Sequence, residues 1–286
     1  MATVGGGMTV TSRFAPSPTG RLHLGHAYSA AIARAEGERF LLRIEDLDTG
    51  RCHPEFVAGI SEDLDWLGLT PGAPPLVQSD RTAAYAAALD RLRLAGLVYA
   101  CFCTRADIAA ALSAPHGEAG NAYPGTCRGL PDDPDRRAAA PHSWRLDAAK
   151  GIERVGLPSW TENDGIRFTA RRNQIDDAIL ARKDAPAAYH LACVVDDALS
   201  GVTLVVRGAD LRASTPVQRL LQTLLDLPEP SYLHHPLVVH DDGRRLAKRD
   251  HAPTLAAMRE SGVDGRALAA ALARGDLPLG FRLADA

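Results

Sequence analysis

The sequence predicts an α/β fold in which helices cover a parallel sheet. Thr9–Phe14 alternates as a short strand does, Leu24–Glu36 has apolar residues at helical spacing, and Phe40–Ile44 is an apolar run of strand length. The rigid turn Ala15–Gly20 follows the first of these segments. A strand, a helix and a strand within about 35 residues form one βαβ unit, whose two strands lie parallel in a sheet.

Two further predicted helices follow, and after them the alternation of strands and helices is interrupted. We expect amphipathic helices over Pro54–Leu67 and Arg81–Gly96, which the Pro- and Gly-rich stretch Thr70–Pro75 separates. Residues 98–137 contain many turn-forming residues, and we expect an inserted subdomain there.

Strands and helices return in the second half of the chain. Tyr189–Val195 and Val202–Val206 are apolar and β-branched, which predicts two strands around a turn at Asp196–Gly201. The remaining predicted elements are a helix over Ser214–Leu225, a last strand over His235–His240, a turn at Asp241–Gly243 and two short C-terminal helices. We expect the first half of the nucleotide-type fold over 9–97, the inserted subdomain over 98–137, the rest of the insertion and the second half of the fold over 138–230, and a short C-terminal part over 231–286.

Composition excludes several classes of protein. Hydrophobic residues make up 46% of the 286 and charged residues 23%, which is close to the globular average and excludes a disordered or fibrous chain. No apolar run reaches the roughly 18–20 residues of a membrane helix, and the Gly-rich start lacks the pattern of a secretory signal. The net charge is −3, so contact with nucleic acid would need a local basic patch. We expect a cytoplasmic protein with no membrane partner.

The cysteines indicate a metal rather than disulfides. There are five, Cys52, Cys101, Cys103, Cys127 and Cys193. An odd number with three members inside 27 positions is not typical of a disulfide framework, whereas clustered thiols in a reducing compartment suit a metal ion.

The tetrapeptide His23-Leu24-Gly25-His26 lies where the first predicted strand gives way to the first predicted helix. A helix N-terminus presents backbone N–H groups and partial positive charge, which suit phosphate. Gly25 allows a flat ligand to approach the backbone closely, and two histidines three residues apart face the same side. The position of the motif therefore indicates a nucleotide site.

A basic segment, Arg244–Arg249, follows the last predicted strand. A solvated surface loop is one interpretation of such a run. In the other interpretation, Lys248 is a mobile point charge that stabilises the negative charge of a phosphoryl transition state.

Five motifs in order resemble the class I glutamyl-tRNA synthetase family, over about residues 12–257. They are Arg13–Gly20 followed by His23–His26, then Leu42–Asp48, Val206–Leu211 and Arg244–Arg249, the last resembling the lysine-bearing signature loop. Arg245 and Ala247 depart from that loop, which usually has a lysine and a serine there. The 37 residues after Arg249 are too few for the anticodon-binding region of the full-length enzymes, so we expect none. The chain most resembles the truncated branch of the family, also in Cys101–Cys103, Tyr123–Cys127 and Asp250–Pro253.

The resemblance implies a Rossmann-like class I synthetase catalytic domain with an inserted zinc-binding subdomain and short C-terminal helices. It implies activation of L-glutamate by ATP, with Mg²⁺, and transfer of the glutamyl group to queuosine at the wobble position of tRNA(Asp). The alternatives are ordinary glutamyl-tRNA synthetase acylation at the 3′ end, a small-molecule adenylylating enzyme of the same fold, and a weakly catalytic tRNA-binding protein.

The resemblance also assigns residues to a site. His23, Gly25, His26 and Lys248 would bind ATP, and the two histidines and the lysine would be catalytic. Because glutamate has two carboxylates and an ammonium, Arg13 and Arg207 would each bind one carboxylate. Glu45 would bind the ammonium with Ser17 near it, and Tyr189 would form a hydrogen bond with the ligand. The implied glutamate pocket is Arg13, Phe14, Ala15, Pro16, Ser17, Glu45, Tyr189 and Arg207.

The resemblance further implies one structural zinc ion per chain. Cys101, Cys103 and Cys127 supply three soft ligands, and zinc requires four. Tyr123 matches the fourth ligand of the family, whereas His116 is chemically the more common donor. Three reduced cysteines without metal are the remaining interpretation.

Overall fold

The computed structural model describes residues 9–104, 106–108, 123–183, 185–246 and 253–285. Two predicted site residues, Lys248 and His116, lie outside this part of the chain.

The predicted βαβ unit is confirmed. β1 (Thr11–Phe14) pairs in parallel with β2 (Arg39–Ile44), and α1 (Leu24–Glu36) connects them. β2 also pairs in parallel with the short β3 (Leu76–Val77). All four residues of β1 are buried, because α1 covers the sheet with its apolar residues Leu24, Ala27, Tyr28, Ala30, Ala31 and Ala33.

A second pair of parallel strands extends this layer. β9 (Leu204–Gly208) pairs with β10 (Ser231–His235), and the Thr203 N–H donates to the Thr11 carbonyl at 3.0 Å. β9 therefore lies beside β1, and the carboxyl ends of the two strands are adjacent. In a parallel sheet this edge is where ligands bind.

Helices pack on this layer as the sequence predicts, with one exception. α2 (Pro54–Leu67) and α3 (Thr82–Leu94) occupy the two expected segments, and α2 ends at Gly68, whose φ of 71° suits glycine. The predicted strand Tyr189–Val195 is wrong, since this segment is the start of α6 (Tyr189–Leu199). Every residue from 191 to 197 is buried, and a helix buried on all sides has the same apolar composition as a buried strand.

The predicted turn at Asp196–Gly201 is correspondingly too early. Its first four residues form the last turn of α6, and the chain turns only at Ser200 and Gly201. α6 packs between α3 and α7 (Thr215–Leu224). Asp196 and Asp197 therefore lie in the core rather than in a solvated turn.

The predicted strand His235–His240 is two strands. β10 ends at His235 and β11 (Val238–His240) begins after Pro236, because proline has no N–H for the ladder. β11 is also not the last strand: it pairs antiparallel with β12 (Phe281–Leu283), which follows α8 (Leu255–Glu260) and α9 (Gly265–Ala273). The two short C-terminal helices are thus confirmed.

The middle of the chain forms antiparallel structure beside the parallel layer. The strands β4, β5 and β8 make one sheet and β6 and β7 a second. Their bounds, with two short helices, are β4 (Val98–Cys101), α4 (Pro134–Ala139), β5 (Ser143–Leu146), α5 (Ala148–Val155), β6 (Ser159–Thr161), β7 (Arg167–Thr169) and β8 (Ile179–Ala181). Among the described residues, no helix has both the length and the apolar character needed to cross a bilayer.

Candidate active site

The N-terminus of α1 is organised by the two motif histidines. The Nδ1 atom of His23 accepts the Gly25 N–H at 3.2 Å, and the Nδ1 atom of His26 accepts the His23 N–H at 3.1 Å. Since both Nδ1 atoms accept, each neutral ring has its proton on Nε2. The ring centroids are 3.8 Å apart, so the two imidazoles lie together as the spacing predicts.

A side chain at position 25 would crowd this arrangement. A Cβ atom at position 25 would lie 3.1 Å from Cε1 and 3.3 Å from Nδ1 of His23. The substitution would displace the ring that caps the helix.

A cleft of about 430 Å³ opens at the carboxyl ends of β1 and β9, over the start of α1. Every residue predicted to bind nucleotide or glutamate lines it, except Lys248, which is outside the described residues. These lining residues are Arg13, Phe14, Ala15, Pro16, Ser17, His23, Gly25, His26, Glu45, Tyr189 and Arg207. Arg245 and Leu246 of the signature segment also line the cleft.

Arg207, on β9, is held by three neutral side chains. Its Nη1 donates to the Gln218 Oε1 at 2.6 Å, its Nη2 to the Thr215 Oγ1 at 2.8 Å, and its Nε to the His234 Nε2 at 3.1 Å. The residue is 4% exposed, and no carboxylate in the described part of the chain lies within 4 Å of its guanidinium. A buried guanidinium without an anion attracts a carboxylate ligand.

Two further groups beside Arg207 have unused hydrogen-bonding capacity. The Nε2 of Gln218 and the Nδ1 of His190 are buried without a hydrogen-bond partner among the described residues. Burial, together with the charge of Arg207, lowers the pKa of His190 to about 4, so this ring is neutral at pH 7.

Arg13, the other predicted carboxylate ligand, has an internal partner that the sequence analysis missed. Its Nε lies 3.0 Å from Oδ1 of Asp197, and its Nη1 donates to the Val206 carbonyl at 2.9 Å. Arg43 donates to the same Oδ1 at 2.5 Å. Burial alone would raise the pKa of Asp197, but the two arginines hold it at about 2. Asp197 therefore neutralises part of the charge of Arg13.

Glu45 and Tyr189 complete the polar lining of the cleft. The Oε1 of Glu45 accepts from Nη2 of Arg43 at 2.9 Å. Burial raises the pKa of the Tyr189 hydroxyl, so the hydroxyl keeps its proton and is a donor. Burial likewise raises the pKa of Cys193 to about 11, which makes that thiol a neutral packing group.

Three cysteines meet at a separate place. The Sγ atoms of Cys101, Cys103 and Cys127 lie within 4.8 Å of one another. The Tyr123 hydroxyl is 3.3 Å from the Cys101 Sγ and 3.5 Å from the Cys103 Sγ. Cys52 and Cys193 lie outside this cluster. These three cysteines and the tyrosine could together hold one metal ion.

Residues 9–279 match the family model described as tRNA synthetases class I (E and Q), catalytic domain. The chain is 46% identical to the glutamyl-Q tRNA(Asp) synthetase of Rhodobacter capsulatus over 88% of its own length and 95% of that protein. It is 49% identical to the glutamyl-Q tRNA(Asp) synthetase of Nocardia farcinica, over 91% and 81% of the two chains. The chain belongs to this class I synthetase family.

A solved structure agrees with this assignment. Glutamate-tRNA synthetase from Elizabethkingia anophelis superposes with a TM-score of 0.76 and 27% identity, over 93% of this chain. The chain spans 61% of the length of that synthetase. The class I catalytic fold with its parallel sheet, predicted from the motifs, is thus confirmed, and the cleft over α1 is the candidate active site of a class I synthetase.

Proposed function

We propose that this chain activates L-glutamate with ATP and transfers the glutamyl group to queuosine in tRNA(Asp). The observation that supports the proposal best is a single cleft lined both by the N-terminus of α1 and by Arg207, a buried cation with no carboxylate partner in the described part of the chain. The first feature suits the phosphates of ATP and the second suits a carboxylate. The relatives named glutamyl-Q tRNA(Asp) synthetase identify the amino acid and the acceptor.

For activation, the α-carboxylate of glutamate attacks the α-phosphate of ATP and pyrophosphate leaves. The Nε2–H groups of His23 and His26 would donate to phosphate oxygens as charge develops on them. Lys248 would add a mobile cation from the signature segment. Class I synthetases use ATP with Mg²⁺, which would bind together with the ATP phosphates and would neutralise part of their charge.

The amino acid would lie between Arg207 and Glu45. Arg207 would bind the side-chain carboxylate, since its guanidinium has no carboxylate partner among the described residues, and Glu45 would accept from the ammonium. Arg13, already paired with Asp197, would still present its cleft-facing edge to the second carboxylate.

The acceptor needs its own route to the glutamyl carbonyl. A recess of about 140 Å³ shares Ser17, Glu45 and Tyr189 with the main cleft but not the histidines, and it is also lined by Arg51 and Arg182. The diol of the queuosine ring would enter through this recess. An unpaired anticodon loop suits such entry, because its bases can be splayed out without melting a helix.

We also propose one structural zinc ion at Cys101, Cys103 and Cys127. A tetrahedral zinc with Zn–S bonds of about 2.3 Å places its sulfurs about 3.8 Å apart, and the Cys103 and Cys127 sulfurs are 3.5 Å apart. The ion would tie β4 to the segment that ends at Cys127. Tyr123→Phe and His116→Ala decide the fourth ligand, and release of zinc by the histidine change alone would contradict our choice of Tyr123.

Glutamate-dependent exchange of pyrophosphate into ATP tests the activation step. We expect exchange with glutamate to be at least about tenfold faster than with glutamine, because the amide leaves a buried guanidinium unpaired at a cost of about 1–3 kcal/mol. Equal rates with the two amino acids would overturn the pocket, and the absence of exchange would favour a binding protein.

A further inference from the structure

His234 and Glu162 form a buried chain behind Arg207. The His234 Nε2 accepts from the Arg207 Nε at 3.1 Å, and the Nδ1 of the same ring lies 2.9 Å and 3.1 Å from the two carboxylate oxygens of Glu162. Side-chain exposure is 1% for His234 and 9% for Glu162. Neither residue lines the cleft, so neither touches a ligand there.

The partners of the ring determine where its proton is. A guanidinium has only donors, so the Nε2 atom of His234 must accept and the proton must be on Nδ1, where the Glu162 carboxylate accepts it. Burial and the charge of Arg207 lower the pKa of His234 to about 4 despite the nearby carboxylate. The ring is therefore a neutral acceptor toward the arginine at pH 7.

The two arginines of the cleft differ in how they contact a carboxylate. Arg13 contacts the carboxylate of Asp197 directly, and direct pairing cancels much of a cation's charge. Arg207 is separated from the carboxylate of Glu162 by a neutral imidazole, which orients the guanidinium, and no carboxylate of the described ranges contacts it directly.

We propose that His234 and Glu162 are positioning residues for Arg207: Glu162 fixes the His234 tautomer, and His234 in turn aims the guanidinium into the cleft while leaving its charge for the substrate carboxylate. This inference rests on the proposed binding of glutamate at Arg207. The loss of either residue should weaken glutamate binding and leave the chemistry of ATP nearly unchanged.

His234→Phe keeps an aromatic ring of similar size beside Tyr232, whose ring centroid lies 5.9 Å from that of His234. The substitution removes the Nε2 atom that accepts from Arg207. In pyrophosphate exchange we expect the KM for glutamate to rise at least about tenfold, while kcat and the KM for ATP change less than about twofold. Glu162→Ala should also raise the KM for glutamate, because without the carboxylate the His234 proton is no longer held on Nδ1. Glu162→Gln retains an acceptor oxygen for Nδ1, and its KM for glutamate should stay within about threefold of the wild-type value.

Arg212→Met is the matched control. Arg212 contacts Glu162 at 3.1 Å from the exposed side, and its loss should leave the KM for glutamate unchanged. A KM for glutamate unaltered in His234→Phe, or equal losses in all kinetic parameters, would overturn the proposal.

Nitrogen-15 NMR of the wild-type imidazoles provides a test that needs neither activity nor a folded variant. We expect a neutral His234 protonated on Nδ1 at pH 7, and a ring protonated on Nε2 or on both nitrogens would overturn the inference. If the wild-type protein shows this tautomer yet exchanges no pyrophosphate with glutamate, the proposed function fails while the assigned tautomer stands.

Discussion

Substitution of Arg207 tests the glutamate pocket most sharply, because this side chain has defined anchors and no internal counter-ion in the described part of the chain. Arg207→Lys retains the positive charge but replaces a planar fork by a single ammonium. That ammonium cannot reach Gln218, Thr215 and His234 together as the guanidinium does, at 2.6, 2.8 and 3.1 Å. Arg207→Ala removes the charge as well.

The magnitudes follow from the number of interactions lost. If the lysine variant forfeits one charged hydrogen bond to the substrate carboxylate, the loss is about 1.5–3 kcal/mol, or about 10- to 100-fold in kcat/KM for glutamate. The alanine variant leaves a buried carboxylate without a cation, at about 3–5 kcal/mol, or about 100- to 4,000-fold. The order wild type, lysine, alanine is therefore a part of the prediction.

The assay is pyrophosphate exchange with glutamate and ATP varied separately, together with thermal unfolding of each variant. Arg219→Lys is the control. Arg219, on α7, is a second buried arginine, held by Gln222 at 2.6 Å and Glu229 at 2.7 Å, but it does not line the cleft. Exchange within twofold of wild type in Arg207→Ala, or an equal loss of kcat/KM in the control, would refute the assignment.

Three further predictions concern stability, the signature segment and the metal. Asp197→Asn should lower the free energy of unfolding by about 3–5 kcal/mol, since two buried arginines lose their carboxylate. In the wild type, the lowered pKa of Asp197 should contribute about 2 kcal/mol to the free energy of unfolding above pH 4. This contribution should be lost as the pH falls through about 2, which urea unfolding measures. Lys248→Ala should slow exchange about 100- to 1,000-fold, by analogy with other donors to a developing anion, and an equal effect of Lys150→Ala would exclude a specific role. Metal analysis should find about one zinc per wild-type chain; Cys103→Ser should lose it, and Cys52→Ser should retain it.

Most of the fold could be predicted from the sequence because its elements have clear boundaries. Leu24–Glu36 and Pro54–Leu67 occupy the predicted positions, since one starts at a capping histidine and the other at a proline, and each ends beside a glycine. The segment Tyr189–Leu199 could not be predicted in this way. Its residues 191–197 are buried on every side of the helix, so they lack a periodicity that distinguishes a helix from a strand.

The same error concealed part of the site. The predicted turn at Asp196–Gly201 assigned no ion pair to Asp197, whereas this residue pairs with Arg13 and Arg43 in the core. The sequence contained a hint of this ion pair. Two aspartates directly after an apolar run are compatible with a buried ion-pair partner as well as with a turn. The contacts of His234 could not be deduced from spacing, since Arg207 and Glu162 lie 27 and 72 residues away from it in the sequence.

Labelling of RNA by radioactive glutamate tests the central claim most directly. The assay incubates the protein with ATP and glutamate and compares tRNA(Asp) with queuosine, tRNA(Asp) without queuosine, and tRNA(Glu). A parallel sample of queuosine-containing tRNA(Asp) has its 3′ diol oxidised while the queuosine diol stays intact. We expect label only on the two queuosine-containing samples, and undiminished labelling after oxidation of the 3′ end. Labelling of tRNA(Glu) at its 3′ end, or equal labelling of tRNA(Asp) without queuosine, would contradict the account and indicate an ordinary synthetase.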